Sequence, residues 1–504
     1  MTAVVIALMS AGCTDILVGG MASSPERDTV EKTSESDSES GFSGDSDSGS
    51  AGDADTGDGT GSETDSDTAY IIEICAPVDN YDSLGTVCYI DSIAGDDDNS
   101  GLSPDAPLKT QDAIGSDCVV ARFKRGSRFD ESLKIQLNVE AYTHYGDDTE
   151  PLPQFVVPNE PMSGPVVQSL IKSITLDGLY IAGARSDGEI ENILGGICVF
   201  LGEGSKVLNS EITDCEIGAM LAGEGALFQG NYVHDMVIGV VGEPTDDPNA
   251  VGGAEGVFVT ASNVEVAYNT FINCSAPVQD ETGSCDGGAT EIVVTACGTI
   301  ADVKIHHNFS HNNCGFIEIA TGFGECKGTF EASDIYQNVS IDSAWFGFLQ
   351  VNNTDFNALR FFNNTAVQRE NSYNAGRLWV IFTGTSSGMS GGDLLPGTVF
   401  LMNNFFVFDD VTTYGELFDP DFDQTTNLVI YTDEADPGFA NIAGTNPEDF
   451  DLTGDSPAVD AGTIIPGNTL DFMNRRIVDS DGAADIGAFE FGTSQGACLP
   501  SRRP

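Results

Sequence analysis

The sequence predicts an all-β solenoid in which short strands from successive coils stack into parallel sheets. The first observation is a repeated phrase, an apolar residue followed by two variable residues and Asn, with almost no helical periodicity between its copies. The seven copies end at Asn209, Asn231, Asn269, Asn308, Asn338, Asn364 and Asn404. The second observation is the β-prone run after each Asn, such as Tyr232-Val233. A repeat of 22 to 40 residues built from short strands is typical of a solenoid.

The repeated Asn suits the inside corner of such a coil. It tolerates the left-handed backbone conformation, and its side-chain amide can hydrogen-bond to the equivalent Asn of the next coil. We therefore expect a ladder of Asn side chains along the solenoid. The widest intervals, 231 to 269, 269 to 308 and 364 to 404, leave room for loops inserted between strands.

Composition limits the classes of partner. The chain has 504 residues, 40% of them hydrophobic, which is enough for a packed core, and a formal net charge of −59. So acidic a surface argues against nucleic acid and against anionic lipid head groups as ligands. It favours solubility in high salt, binding of divalent cations, or both.

The N-terminal region has the composition of an export signal followed by a tether. Residues 2–9 are apolar and lead into Ser10-Ala11-Gly12-Cys13, which resembles a bacterial lipoprotein signal with Cys13 as the lipidated residue. An ordinary signal peptide within residues 1–21 is the alternative. Residues 22–70 are nearly all Ser, Asp, Gly, Glu and Thr, so we expect a disordered acidic linker. Both alternatives predict an extracellular or cell-surface protein, and the lipoprotein signal predicts contact with the membrane only through an N-terminal lipid anchor.

Twelve Cys in an acidic, loop-rich chain point to an oxidising compartment. Neighbouring positions in the sequence suggest structural disulfides Cys75–Cys88 and Cys274–Cys285. A redox-active thiol is the alternative.

The start of the folded body resembles the N-terminal entry of secreted right-handed parallel β-helix proteins, the pectate-lyase-like superfamily. The resemblance rests on a Gly-Asp-rich loop with a Pro-x-x-Thr turn (95–110), an Arg-Gly segment (123–133) and a Tyr-Gly turn (145–155). It implies an entry and cap over residues 71–164 and β-helix coils over residues 165–410.

The C-terminal part resembles the closing module of surface-anchored bacterial β-helix proteins that carry variable cell-surface anchors. The matching phrases are Asp436-Pro437-Gly438-Phe439, the run 454–462 and Asp485-Ile486-Gly487. The resemblance implies a closing module within residues 411–495, followed by a tail over 496–504. A polar module of this kind would cover the exposed strand edge of the last coil.

A first candidate metal site is the loop that contains Asp96, Asp97 and Asp98. Several carboxylates on a Gly-bearing turn are what Ca²⁺ requires, although the spacing is not that of an EF-hand. A solvated turn without metal is the alternative.

A second candidate site resembles the central coils of the alginate-lyase and chondroitinase group of β-helix lyases. The matching phrases are Asn269-Thr270-Phe271, Asp286-Gly287-Gly288 and Glu291-Ile292. The resemblance implies Asp286 and Glu291 as calcium ligands. That group places basic residues where this chain has 295–297 and 320–321, none of which is basic.

A lyase needs a base and a neutralising cation, so other residues of the same stretch would have to supply them. The candidate catalytic residues are His307, Lys304, Glu291 and Glu318. His306 and His307 are adjacent, so on a strand at most one of them faces any surface site, and an inward position for one is the alternative.

These observations predict a secreted, surface-anchored, monomeric parallel β-helix that binds extracellular polysaccharide without an intact known catalytic set. The alternative is a divergent calcium-dependent lyase of uronate-containing glycans. If the protein is an enzyme, we expect a polysaccharide lyase or a glycoside hydrolase.

Overall fold

The computed structural model describes residues 80–158, 164–185, 196–241, 251–277, 285–321, 326–343, 345–351, 353–369, 379–384, 394–409, 422–477 and 483–492. The predicted signal region, Cys13 and the linker lie outside these ranges. Within them there is no α-helix, and no helix is long and apolar enough to cross a membrane. Short 3₁₀ turns occur at Tyr81–Ser83, Gln111–Ala113 and Pro447–Phe450.

Strands are numbered in chain order, and three long sheets contain most of them. Sheet 1 contains, in spatial order, β1 (Val87–Ile90), β2 (Val120–Lys124), β4 (Ala141–Tyr145), β7 (Thr175–Asp177), β10 (Lys206–Leu208), β13 (Leu227–Gln229), β18 (Glu265–Ala267), β24 (Lys304–His306), β28 (Asp334–Tyr336), β32 (Leu359–Phe362), β35 (Val399–Met402) and β37 (Asp423–Thr425).

Sheet 2 contains β3 (Arg128–Phe129), β5 (Gln154–Val156), β8 (Tyr180–Ala182), β11 (Glu211–Thr213), β14 (Tyr232–His234), β19 (Thr270–Ile272), β25 (Phe309–His311), β29 (Val339–Ile341), β33 (Thr365–Gln368), β36 (Phe405–Phe408) and β38 (Leu428–Tyr431).

Sheet 3 contains β6 (Val167–Ser169), β9 (Ile197–Leu201), β12 (Ile217–Leu221), β17 (Glu255–Val259), β22 (Gly288–Val294), β26 (Gly315–Thr321), β30 (Trp345–Gln350) and β34 (Trp379–Gly384). The remaining strands form two hairpins and a short parallel sheet. They are β15 (Ile238–Val241) with β16 (Val251–Gly253), β20 (Ala276–Pro277) with β21 (Cys285–Asp286), and β23 (Thr299–Ala301) with β27 (Gly328–Glu331) and β31 (Thr354–Asn357).

From β4 to β34, successive coils give one strand to each long sheet, and all pairs within those sheets are parallel. The predicted fold class, an all-β right-handed parallel β-helix, is confirmed. The core runs between the sheets and is filled by inward side chains. Fully buried examples are Phe123, Phe228, Phe271, Phe316 and Phe361. Since each coil buries its apolar residues only against its neighbours, stability accumulates coil by coil.

The expected Asn ladder is present, with one error of position. From Asn269 to Asn404, each ladder Asn accepts hydrogen bonds on Oδ1 from the backbone N–H and the side-chain amide of the Asn one coil earlier. Asn427 continues the ladder after Asn404. Asn209 was wrongly included. The equivalent position in its coil is Ser210, whose backbone N–H donates to Asn231, while Asn209 donates to Asp177.

The left-handed residue of each corner is not the ladder Asn but the residue before it. Positive φ angles occur at Asn209, Tyr268, His307, Asn363 and Asn403. The two tasks that the sequence assigned to one Asn are therefore divided between two neighbouring residues, one that turns the chain and one that bridges the coils.

The disulfides connect neighbouring coils and correct both predicted pairs. The structure contains Cys88–Cys118, Cys198–Cys215 and Cys297–Cys326, with Cα–Cα distances of 5.8, 5.8 and 5.3 Å. Cys75–Cys88 is wrong because Cys88, on β1, bonds to Cys118 just before the adjacent strand β2. Cys75 itself lies outside the described residues. Cys274–Cys285 is wrong because Cys274 is a free thiol buried in the core.

The C-terminal segment, defined here as the closing segment (residues 436–477 and 483–491), packs along the outer face of sheet 2. Its apolar side chains form a second core with outward residues of several coils. These residues are Phe309, Val339, Ile341, Val367, Phe405, Val407 and Ile430 from the coils, with Phe439, Phe450, Leu452, Ala458, Phe472, Ile486, Ala488 and Phe489 from the segment. The sequence predicted a cover for the last strand edge, and the structure shows contacts that extend back to β25.

Candidate functional site

The outer face of sheet 3 carries a row of four residues that we call the carboxylate column. Phe258, Glu291, Glu318 and Phe348 occupy the same position on β17, β22, β26 and β30, in register from strand to strand. The next residues along two of these strands, Ile292 and Ile319, belong to the buried core. Because side chains alternate along a strand, the two glutamates point away from the core.

The carboxylate column is recessed. Glu291 is only 5% exposed and Glu318 is half-buried, while the flanking Phe258 and Phe348 are buried. Adjacent parallel strands lie about 4.8 Å apart, so two glutamates in register are close neighbours. Carboxyl groups that approach each other closely oppose each other's ionisation, so that one of the two tends to keep a proton.

Glu318 is the carboxyl group with the clearest perturbation. Burial raises its pKa to about 7, and a hydrogen bond from Gln350 opposes that rise without cancelling it. Near neutral pH both the protonated and the ionised form of Glu318 are accessible, which suits proton transfer.

A chain of amides fixes the orientation of Glu318. Asn353 donates from Nδ2 to Oε1 of Gln350 (3.1 Å), and Gln350 donates from Nε2 to Oε1 of Glu318 (2.7 Å). Oε1 of Glu318 is thus an acceptor, so the proton of the neutral form resides on Oε2. The same Asn353 amide also donates to the carbonyl oxygen of Thr321, which holds it at the end of β26.

Apolar side chains adjoin the column on the same outer face. Ile197, Phe200, Ile217 and Met220 form a cluster with Phe258 on the earlier coils. On the later coils the Trp345 side chain lies against Gly315. A larger residue at position 315 would collide with it, since its Cβ would lie 2.1 Å from the indole Nε1. The face therefore combines a carboxylate pair with aromatic rings on both sides.

A sequence pattern does point to this pair of glutamates, although the large number of acidic residues in the chain hides it. Both glutamates precede Ile, in Glu291-Ile292 and Glu318-Ile319, and the same strand position recurs one coil later. In a chain with 79 acidic residues, two carboxylates at a plausible separation mean little. The shared register distinguishes this pair, and register requires the strand boundaries.

The structure does not bring the four candidate catalytic residues together. Glu291 and Glu318 are neighbours in sheet 3, but Lys304 is an exposed residue of β24 in sheet 1. His307 lies at the corner after β24, is 4% exposed, and contacts the closing segment. The lyase arrangement of a base or cation beside Glu291, built from Lys304 or His307, is therefore wrong.

The candidate calcium ligands also separate. Asp97 accepts hydrogen bonds from the backbone N–H groups of Lys109 and Thr110 and from the Thr110 hydroxyl. The Asp97 carboxylate therefore stabilises its own loop. These hydrogen bonds lower the pKa of Asp97 against the opposing effect of desolvation. Asp96 accepts from the backbone N–H of Asp98.

Glu291, from the second candidate metal site, lies in sheet 3, many coils from this loop. The Asp286 side chain lies outside the described part of the structure. Within that part, no group of three or more His, Cys, Asp or Glu side chains could hold a metal ion. Calcium binding stays a prediction.

Comparison with known proteins gives structural similarity only. No family model and no curated protein matches the chain. Among solved structures, pectate lyase Pel9A is 16% identical over 80% of this chain and 96% of its own, with a TM-score of 0.37. An endo-xylogalacturonan hydrolase from Aspergillus tubingensis is 11% identical over 73% of this chain and 98% of its own, with a TM-score of 0.37.

The complex of XylC with xylose reaches a TM-score of 0.44 at 10% identity, over 81% of this chain and 99% of that one. With TM-scores below 0.5, these similarities carry no conclusion about what this chain binds or does.

Proposed function

We propose that this protein acts on carbohydrate at the carboxylate column, as a glycoside hydrolase that uses Glu318 as acid and Glu291 as the second carboxylate. The observation that carries the proposal is the in-register pair of outward glutamates, one of which has a pKa of about 7. Glycosidases need one protonated and one ionised carboxyl group on either side of the scissile bond.

The proposed reaction retains the configuration of the sugar. Carboxyl groups of retaining enzymes are roughly 5–5.5 Å apart, whereas inverting enzymes need roughly 6.5–9.5 Å to admit a water molecule. A strand spacing of about 4.8 Å favours the shorter separation. Glu318 gives its proton to the leaving oxygen while the Glu291 carboxylate forms an ester with the anomeric carbon. Water, deprotonated by Glu318, then hydrolyses that ester.

The surroundings favour a saccharide as substrate. The aromatic side chains of Phe258, Phe348 and Trp345 border the recess, where the edge of a ring can contact the C–H groups of a sugar beside carboxylates that accept its hydroxyl protons. Binding of polysaccharide without turnover is the second candidate, and the same rings would serve it.

The proposed setting is extracellular. The disulfides Cys88–Cys118, Cys198–Cys215 and Cys297–Cys326 support an oxidising compartment. Anchoring through a lipid on Cys13 belongs to this proposal. It is tested by metabolic labelling with a fatty-acid analogue, in which the wild type carries the label and Cys13→Ser does not. Labelling of both, or of neither, would contradict it.

The test of the activity uses the full chain and a panel of neutral and uronate-containing glycans. We expect new reducing ends without the ultraviolet absorbance of an unsaturated uronate, and loss of at least about 100-fold in rate for Glu318→Gln and Glu291→Gln. Glu203→Gln, an exposed glutamate at the turn after β9, is the matched control. An ultraviolet-absorbing product would instead establish a lyase. Binding without products, weakened by Phe348→Ala, would establish the second candidate.

A further inference from the structure

A continuous chain of hydrogen bonds runs from sheet 1 to the closing segment through two adjacent histidines. Nε2 of His306 lies 3.1 Å from Oε1 of Glu265 on the preceding coil. Nδ1 of His306 lies 2.9 Å from Nδ1 of His307. Nε2 of His307 lies 3.1 Å from the carbonyl oxygen of Asp471 in the closing segment. All four nitrogens of the two imidazoles therefore take part in this line, each in one contact, and the line ends on an oxygen at each side.

Counting protons along this chain fixes its charge. The ionised Glu265 carboxylate and the Asp471 carbonyl are acceptors only, so both Nε2 atoms must donate. The central bond between the two Nδ1 atoms needs one further proton. Three bonds thus require three N–H protons, whereas two neutral imidazoles carry only two. With two protons, one bond would have lone pairs facing each other.

The surrounding groups allow one positive charge and oppose a second. Glu265 faces His306 from β18, and His306 lowers the pKa of this carboxyl group. Burial and the neighbouring His306 lower the pKa of His307 well below its ordinary value. Lys304, in register beside Glu265, adds a second cation to sheet 1, and Asp334 follows it on β28.

The remaining neighbours are aromatic rings and a buried ion pair of the closing segment. Tyr268 stacks on His307 and Tyr336 stacks on His306, with ring centroids 4.6 and 4.7 Å apart. In the closing segment the Asp471 carboxyl group is paired with Arg475 and Asn474 accepts a hydrogen bond from Tyr268.

We propose that His306 and His307 form a proton-binding dyad that holds one proton more than two neutral imidazoles and thereby makes attachment of the closing segment dependent on pH. The bound ligand is a single proton shared along the line Glu265–His306–His307–Asp471. When it leaves, one of the three hydrogen bonds is lost and the segment is held less firmly. This dyad is separate from the carboxylate column, so the two proposals stand or fall independently.

The sign of the effect follows from proton counts. Unfolded histidines have pKa values near 6.5, so the unfolded pair binds two protons at low pH and none at high pH. The folded dyad binds one. Below about pH 6.5 the unfolded state binds more protons, so the stability contribution rises with pH. Above that value the folded state binds more, so the contribution falls as the dyad loses its proton.

The dyad can be observed directly by nitrogen-15 NMR of histidine-labelled full-length protein, since the chain contains only five His. We expect three protonated nitrogens among the four of the dyad near pH 6.5. Two protonated nitrogens with the closing segment still protected, or four at that pH, would overturn the proposal.

The link to the closing segment is tested with Glu265→Gln. A Gln amide can donate to Nε2 of His306, so two protons then satisfy the whole line and no charge is needed. In the wild type, we expect the hydrogen-exchange protection of backbone amides at 471–477 to fall about tenfold from pH 6.5 to pH 9, after correction for intrinsic exchange. In Glu265→Gln we expect it to stay within about twofold.

Two further variants keep the result interpretable. His307→Asn removes the dyad and suits the left-handed backbone, since Asn363 and Asn403 occupy this position in later coils. It should abolish the pH dependence as well. His234→Asn, on the outer face of sheet 2 with Glu211 and Asp235 as partners, should behave as the wild type. Equal pH dependence in the wild type, Glu265→Gln and His307→Asn would overturn the proposal.

Discussion

His307 and Asn363 occupy the same left-handed corner position in two different coils, and each contacts a backbone carbonyl of the closing segment. His307 contacts Asp471, while Asn363 donates from Nδ2 to the carbonyl oxygens of Asp485 and Gly487. Asn403, one coil later, donates to Thr463. A left-handed corner turns its side chain out of the coil, so one position per coil becomes an attachment point for the segment.

Gln337 occupies the same left-handed corner position in another coil, but its side-chain amide does not hydrogen-bond to the closing segment. It has the same positive φ of 52° and is 1% exposed, but neither its amide nitrogen nor its amide oxygen has a hydrogen-bond partner. A buried amide without partners costs about 1–3 kcal/mol. We expect Gln337→Met to raise the free energy of unfolding by about 1 kcal/mol in urea titrations. A stability below that of the wild type would mean that the amide is satisfied in solution.

Substitution of an Asn at the centre of the ladder should destabilise the protein much more than substitution of Asn209, which is not a ladder residue. Asn308 donates to Asn338 and to the Val266 carbonyl and accepts from Asn269, all in the buried interior. Asn308→Ala leaves several of these groups unsatisfied, so we expect a loss of about 3 kcal/mol in denaturant unfolding. Asn209→Gly removes one half-buried bond to Asp177, suits the left-handed backbone at this corner, and should cost less than about 1 kcal/mol. Equal losses would contradict the assignment of Ser210 as the ladder position.

The fold could be predicted from the sequence because the solenoid repeats one local pattern, and several copies of a weak pattern are recognisable where a single copy is not. The sequence alone could not show that Lys304 and His307 lie far from Glu291. They follow it by 13 and 16 residues, and over that distance the chain passes from sheet 3 to sheet 1 and to the corner after β24. Nor could the sequence pair the cysteines. Cys88 meets Cys118 because one whole coil separates them, and proximity in sequence is the wrong measure in a fold that stacks coils.

Disulfide mapping tests that coil-to-coil arrangement. Proteolysis of the unreduced protein followed by mass spectrometry should recover Cys88–Cys118, Cys198–Cys215 and Cys297–Cys326 as linked peptides. Cys274 is buried and its pKa is raised well above the ordinary value, so it should react with a thiol reagent only after unfolding. Labelling of Cys274 in the native protein would contradict its place in the core.

The raised pKa of Glu318 predicts a pH dependence of stability that does not require any substrate. The folded carboxyl group keeps its proton up to about pH 7, whereas an unfolded Glu ionises near pH 4.3. Between these values the folded state binds more protons, so stability falls as pH rises, and it levels off above pH 7. Glu318→Gln cannot ionise, so its stability relative to the wild type should be higher at pH 8 than at pH 5. An unchanged difference in thermal unfolding at the two pH values would show that Glu318 titrates normally.

The closing segment itself depends on one buried cation. Arg475 is 6% exposed and bonds the carboxylates of Asp471 and Asp451, while burial raises the pKa of Asp471 to about 6 against the opposing effect of Arg475. Removing one partner of a buried ion pair leaves an uncompensated charge, which costs about 3–5 kcal/mol.

We therefore expect Arg475→Met to expose the segment to limited proteolysis between residues 450 and 477 while the coils before β24 stay protected. Arg476→Met, at the exposed neighbouring position, is the matched control and should leave the cleavage pattern unchanged. Simultaneous cleavage throughout the coils in Arg475→Met would show that the segment and the β-helix unfold as one unit. Cleavage of the closing segment with the early coils still protected would show that the solenoid remains folded when this segment detaches. That result is expected for an array stabilised by nearest-neighbour contacts.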